Sequence, residues 1–349
     1  MESMKRMRSF LVLLLPAIFL AGCADLLYFS KMGWHQGAIQ YHSVPIEEVL
    51  GDGGMNAESK EKIRFIQEVK RYGEERLGLK RTDNYTTFVD VKGPVLHVVT
   101  ACDKDKLQLF SWTFPIIGQV TYKGFFTRED ALKEKRSLDD KGYDTFLQRA
   151  GAYSTLGWLK DPIFSFMLES DRASLANLIL HEMTHGTIYL KGKTAFNEQV
   201  ATFIGNRGAI DFLTEKYGAE SREAEHARYI REDDLIFGRW IDRACHRLAD
   251  FYGQGIPRDE KMKGREEIFR SLREEFKEVK PHLKTETYTR FERVDLNNAV
   301  LLAFHRYVHR LGNFEPLYEK LGRDLKRVVE FLKKIQPDEI RDEEFGIRN

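Results

Sequence analysis

Cysteine is scarce in this 349-residue chain. Cys23, Cys102 and Cys245 are the only three, and no two form a Cys-x-x-Cys pair. That spacing excludes a dithiol redox centre and a cysteine-clamped zinc module. No internal repeat or low-complexity tract is visible, which excludes solenoids and fibrous architectures. Neither sign of charge dominates: 55 basic residues stand against 54 acidic ones, a formal net charge of +1. With no overall field to gather a polyanion, nucleic acid is not an expected partner. A membrane-spanning run is missing too, since the uncharged stretch Phe10 to Leu20 is about half of the roughly 20 residues a spanning helix needs. What is present is ordinary for a globular protein with a sizeable core, 42% hydrophobic and 31% charged residues.

The short apolar run has a context. Lys5, Arg6 and Arg8 precede it, and Leu20-Ala21-Gly22-Cys23 closes it, the layout of a signal peptide. The four closing residues resemble the lipobox of bacterial lipoproteins. The resemblance implies cleavage before Cys23, a diacylglycerol on its thiol and acylation of its amine. Removing residues 1–22 brings the net charge near −1, and no polybasic patch follows, so the membrane contact expected is lipid rather than electrostatic. Ala24, rather than aspartate, after the cysteine favours the outer membrane. The expected location is a bacterial membrane surface facing the periplasm. There Cys102 and Cys245 are permitted to pair, although sequence does not bring them together.

Residues 23–56 read as a lipid-anchored tether ending in the turn-rich Gly51-Asp52-Gly53-Gly54. A helix is expected over 57–78, where Ile63, Ile66, Val69, Tyr72 and Leu77 recur at near-helical spacing. Short β-branched or aromatic runs follow at 86–91, 95–101, 107–114 and 119–126, then a charged helix near 128–142 and an extended piece near 150–155. From Asp171 the pattern is helical, with Ser170 or Asp171 as N-cap of the apolar run 175–180 and further helices at 197–217, 221–252, 258–280, 295–312 and 315–335. The expected fold is α+β, a small antiparallel β-rich N-terminal lobe (about 85–160) packed on a mostly α-helical C-terminal lobe (about 171–336). Together they make one catalytic domain over 57–336, and a charged tail occupies 337–349.

Chemistry concentrates at His181-Glu182-Met183-Thr184-His185. At about 100° per residue, positions four apart differ by about 40° around a helix, so both imidazoles can meet one zinc ion. Glu182, one step on, is placed to act as general base on a water activated by that ion. Two histidines and a glutamate on a buried helix are costly to desolvate without a role. A catalytic zinc needs a third protein ligand and an open position. Metzincins place glycine and histidine where this chain has Ile188 and Lys191, which excludes that group. The nearest candidate downstream is Glu198, which a turn at Gly192 would let a second helix return to the metal.

Asn197-Glu198-Gln199-Val200-Ala201 after His-Glu-x-x-His resembles the gluzincin arrangement, a zincin-like active-site helix with the glutamate as third ligand. The resemblance implies that Asn197 supports the ligand shell. The interval from His185 to Glu198 is shorter than in thermolysin-like enzymes, and Thr202 stands where those carry an acidic residue, which leaves the partner orienting His181 unassigned. More widely, the chain resembles a family of bacterial lipoproteins described as aminopeptidases. The resemblance rests on Phe114-Pro115-Ile116-Ile117-Gly118, Tyr122-Lys123-Gly124-Phe125-Phe126, Ala152-Tyr153-Ser154-Thr155-Leu156-Gly157-Trp158, Asp161-Pro162 and Leu296-Asn297-Asn298-Ala299. Relatives carry cysteines near Thr113 and Gln119, and this chain lacks that pair.

The expected activity is zinc-dependent aminopeptidase action on peptides, with one zinc held by His181, His185 and Glu198 and with Glu182 as base. By analogy with gluzincins, Ala152, Tyr153, Ser154 and Thr155 would bind peptide by strand addition. Tyr307, ahead of His305 and His309 on the same helix, would donate to the oxyanion. Gripping a substrate amine calls for a carboxylate, and Asp161 and Glu169 lie upstream of the metal helix, though sequence gives neither a position. An endopeptidase or peptidoglycan amidase with the same metal site is the alternative enzyme. A lipoprotein holding zinc only for structure would have no use for Glu182.

Overall fold

A computed structural model describes residues 23–91, 93, 95–114, 118–150 and 159–339. The segment expected as a tether is helical over α1 (Cys23–His42) and α2 (Ile46–Gly51), with the two-residue strand β1 (Val44–Pro45) between them. α1 rests on the body of the protein through Tyr28, whose hydroxyl donates to the Gly124 carbonyl at 2.9 Å and whose ring lies 5.8 Å from that of Phe114. Lys31 pairs with Asp130 at 2.6 Å. Helix α3 (Ala57–Glu75) starts where the Asn56 side chain accepts from the Ser59 amide, and it buries Ile63, Phe65, Ile66 and Val69.

The β-rich part comprises eight short strands in three small sheets among the described residues. They are β1, β2 (Thr87–Val89), β3 (Leu96–Cys102), β4 (Trp112–Phe114), β5 (Gly118–Val120), β6 (Lys123–Phe125), β7 (Asp144–Ala150) and β8 (Ile163–Phe164). Most pairings are antiparallel, but β2 and β8 run parallel. The run expected as one strand at 119–126 is split into β5 and β6 by a turn at Thr121-Tyr122. In the β4–β5 hairpin Thr113 faces Gln119 directly, so a cysteine pair at these positions would bridge the hairpin. β7 was not expected from the sequence. It pairs with β3 over its whole length, from Leu96↔Ala150 to Cys102↔Asp144. Helix α4 (Arg128–Asp140), capped by Thr127, covers this sheet with Ala131 and Leu138.

The helical part follows as α5 (Arg172–His185), α6 (Thr194–Tyr217), α7 (Arg222–Tyr252), α8 (Arg258–Val279), α9 (Asn298–Val308), α10 (Glu315–Lys320) and α11 (Leu325–Leu332). Asp171 caps α5 by accepting from the Ala173 and Ser174 amides, a contribution of about 1 kcal/mol. The last helix expected, 315–335, is broken between α10 and α11, where Arg323 takes a left-handed φ of 57°. Among the described residues no helix is long and apolar enough to cross a membrane.

One buried joint locks the two parts together. Asp144, at the start of β7, accepts from Arg265 at 2.5 Å and from the Asn298 amide at 3.0 Å. Asn298 also donates to the Asp103 carbonyl and accepts from Tyr252, while Asn297 donates to the Thr145 carbonyl. The Asn297-Asn298 pair therefore ties the start of α9 to the sheet and fixes where the rest of α9 lies.

Candidate metal centre

Helix α5 is apolar almost all round and buried, so its polar residues near the C-terminal end must be used by something. His181 and His185 point the same way, their Nε2 atoms 3.2 Å apart. Helix α6 returns antiparallel after a turn in which Gly192 takes φ 78°, a value only glycine adopts without strain. Asn197 holds that turn shut, its Oδ1 accepting from the Leu190 amide at 2.8 Å and its Nδ2 donating to the Leu190 carbonyl at 2.9 Å. The two helices then approach closely because Gly205 has no side chain: a Cβ there would lie 3.0 Å from the Asn177 carbonyl oxygen and 3.3 Å from His181 Cβ. This delivers Glu198 Oε2 to 3.4 Å from the Nε2 of both histidines.

These three separations test whether the donors fit a metal. A tetrahedron with bonds of roughly 2.0–2.1 Å has edges of roughly 3.3–3.4 Å, and the observed edges are 3.2, 3.4 and 3.4 Å. Two imidazole nitrogens and one carboxylate oxygen around a single point are the donor types that zinc takes in sites with an open position. The three donors do fit such an ion.

Electrostatics agree. Burial works to raise the Glu198 carboxyl, but the two imidazoles together hold it well below the ordinary carboxylate range. Burial also works to lower His185, yet the Glu198 charge wins and lifts it from 6.5 to about 8. A buried anion thus lies between two imidazoles, an arrangement that favours positive charge there. Glu182, on the same helix, is 9% exposed and is raised chiefly by burial, with the neighbouring imidazoles pulling the other way.

Three tyrosines and an arginine surround this group. The Tyr307 ring lies 6.4 Å from that of His181. Burial raises the Tyr307 hydroxyl, and the charges of Glu198 and Glu182 add to it. Tyr122, from the β5–β6 turn, is likewise raised by burial and then by Glu198, and Tyr189, 41% exposed, by burial and Glu198. Arg306 Cζ sits 4.7 Å above the Tyr122 ring. Behind His181 a polar chain runs from Asn177 to Asn206 (2.6 Å), Asn206 to Asp234 (2.7 Å) and Tyr288 to Asp234 (2.5 Å). Burial raises Asp234 to about 6, and His181 pulls the other way. The acid on that side comes from α7, while Thr202 is a buried neutral residue of α6.

His305 and His309 do not join the site. They share Asp242 of α7, whose Oδ1 lies 2.5 Å from His309 Nδ1 and 3.2 Å from His305 Nε2. The first of these is a direct hydrogen bond, far shorter than the edge of a metal tetrahedron, so this second His-Asp-His group is a clamp between α7 and α9. Ala152, Tyr153, Ser154 and Thr155 lie outside the described residues, as do residues 1–22. Asp161 is buried, its Oδ2 accepting from Asn84 at 3.1 Å, and Glu169 ends a 3-10 turn ahead of α5. Cys23 opens α1, and Cys102 and Cys245 are buried and free.

Sequence reasoning missed Tyr122, Tyr189 and Arg306. Tyr122 opens the Tyr-Lys-Gly-Phe-Phe element and Arg306 adjoins Tyr307, but nothing local marks either as near Glu198.

A family model described as "Putative aminopeptidase" matches residues 27–344. No curated protein and no solved structure matches the chain.

Proposed function

Since the chain belongs to this aminopeptidase family over most of its length, we propose that it is a zinc-dependent peptidase. The observation that carries the proposal is the triangle of His181, His185 and Glu198, with edges of 3.2, 3.4 and 3.4 Å. Those three residues would hold the ion, of gluzincin type. When bound, zinc supplies Lewis acidity to a water and to the scissile carbonyl.

The protein's own groups do the rest. Glu182 takes the proton from the attacking water as its oxygen bonds to the carbonyl carbon, and hands it to the amine nitrogen as the C–N bond breaks. A carboxyl raised by burial suits both halves of that shuttle. Tyr307, kept protonated by burial and by the nearby carboxylates, donates to the carbonyl oxygen as negative charge develops on it. Tyr189, partly open to solvent, lines the approach. Asn197 acts at one remove, by pinning the turn that brings Glu198 back.

Chelation should abolish hydrolysis of unblocked peptides and added zinc should restore it; activity indifferent to chelator sinks the proposal. Glu182→Gln should keep one zinc per chain while turnover falls about 10²–10⁴-fold, and a fully active variant removes Glu182 as base. Slower cleavage of N-acetylated than of free peptides would mark an aminopeptidase, and equal rates an endopeptidase. We further propose that the mature chain is held at the periplasmic face of the outer membrane by lipid on Cys23. Cys23→Ser should release it from the membrane fraction.

A further inference from the structure

The site holds a charge that the reaction above does not use. Arg306 is 1% exposed, yet no carboxylate pairs with it among the described residues. Its Nη1 is buried with no hydrogen-bond partner, Nη2 makes a long 3.5 Å contact with the Thr121 carbonyl, and the Tyr307 hydroxyl, a neutral group, is its other polar neighbour. The other buried arginine among the described residues is answered: Arg265, 3% exposed, has Asp144 at 2.5 Å. Burying a guanidinium without a counter-ion is costly, and a protein carries that cost where a partner arrives later.

The surroundings say where that partner would come from. The guanidinium lies over Tyr122 at 4.7 Å, and the next residue in the chain, Tyr307, has its ring 6.4 Å from that of His181. It therefore belongs to the wall of the metal centre. Glu182 and Glu198 bring two negative charges to that centre, which a divalent cation held by His181, His185 and Glu198 would match. Arg306 would then leave the loaded site one positive charge in excess.

We propose that Arg306 is a substrate-binding residue that receives a carboxylate of the peptide, so that the preferred substrates are short peptides whose free C-terminal carboxylate reaches the metal centre. This rests on the peptidase reading and adds a substrate class to it. The planar guanidinium offers two parallel donors to such a group. Being already stripped of water and fixed against Tyr122, it loses little on pairing.

The chemistry of a carboxylate could come from the chain end or from an aspartate or glutamate side chain, and three uncleavable dipeptide analogues with a reduced peptide bond separate these. They are Ala-Ala with a free carboxylate, Ala-Ala amide and Ala-Glu amide. Their binding to the zinc-loaded full chain is measured by calorimetry, alongside zinc content. The free acid should bind about 10–100-fold more tightly than Ala-Ala amide. Arg306→Gln should bring that ratio near one, and Arg306→Lys should leave part of it, since charge remains and the fork is lost. Comparable gain for Ala-Glu amide would assign the carboxylate to a side chain. Equal binding of acid and amide by the native protein, or an unchanged ratio in a zinc-replete Arg306→Gln, overturns the proposal. Absence of zinc or of any peptide hydrolysis would instead overturn the peptidase reading on which it rests.

Discussion

Glu198→Gln changes one atom's chemistry at the point where two helices meet, and its consequences can be worked out for the protein with and without metal. Without metal, the Glu198 carboxylate lifts His185 from 6.5 to about 8 against the opposing effect of burial. A rise of that size is worth about 2 kcal/mol. The sign follows from linkage: a histidine with a raised folded-state pKa stabilises the fold fully below its unfolded value of about 6.5, and that stability is lost as pH rises through about 8. Chelated native protein should thus lose about 2 kcal/mol of unfolding free energy between pH 6 and pH 9. In Glu198→Gln the imidazole keeps its burial and loses its anion, so the slope over the same window should flatten or reverse.

With metal the direction inverts, because a proton on His185 competes with the ion. At pH 7 zinc binding to the native protein should release about one proton, and affinity should rise toward pH 8. Glu198→Gln should weaken zinc by more than about 100-fold, beyond the 10–100-fold typical of residues that merely orient a ligand. Urea unfolding at several pH values with chelator present, and zinc titration against a chromophoric competitor, measure the two halves separately. A variant that binds zinc within a factor of three of the native protein would refute the three-donor site. Native stability that is flat from pH 6 to pH 9 would refute the Glu198–His185 coupling.

Gly205→Ala should cost about 1–3 kcal/mol in urea unfolding and also weaken zinc, since the new Cβ would press on the Asn177 carbonyl at 3.0 Å and on His181 Cβ at 3.3 Å; unchanged zinc affinity would mean the helix contact does not set the site. Tyr307→Phe should lower kcat about 10²–10³-fold with zinc content and KM little altered, and an unaltered kcat would remove it as oxyanion donor. Asp242→Ala should destabilise the fold by about 1–3 kcal/mol by leaving His305 and His309 without their acceptor. Zinc should stay at one per chain in that variant, and a fall from two to one would show that the second cluster holds an ion as well.

How much of this could be read from the chain depended on how local each signal was. His181, Glu182 and His185 sit within five residues, and Asp171 announces the start of their helix by the ordinary rule for N-caps. Glu198 was reachable because only one turn separates it from His185. Strand β7 was not, because its Asp144 is polar in sequence and buried in the fold, where Arg265 from α8 and the Asn298 amide from α9 satisfy it. No local pattern marks a residue whose partners lie more than a hundred positions away. Tyr122 and Arg306 were missed for the same reason, since the β5–β6 turn and α9 converge only after the Asp144 joint has seated the helical part on the sheet.

Helix α9 shows why residue type alone could not sort these candidates. It carries His305 and His309 on one face, four residues apart as His181 and His185 are on α5, and Tyr307 on the other. Both histidine pairs meet a single carboxylate supplied by a neighbouring helix. At Glu198 the oxygen stands 3.4 Å from each nitrogen, a spacing that suits an ion between them. At Asp242 one nitrogen has closed to 2.5 Å, a direct hydrogen bond. A glycine sets the approach of the helices in each case. Gly205 lets α6 come up against Asn177 and His181 on α5, and Gly238 lets α7 meet α9 so closely that a Cβ there would come within 2.5 Å of the Val308 carbonyl. Enlarging Gly238 should therefore loosen the Asp242 clamp and, through α9, displace Tyr307 and Arg306 together while leaving His181, His185 and Glu198 able to bind zinc. Gly238→Ala with native zinc affinity and much reduced turnover would be that result, and native turnover would show that α9 is not positioned by this contact.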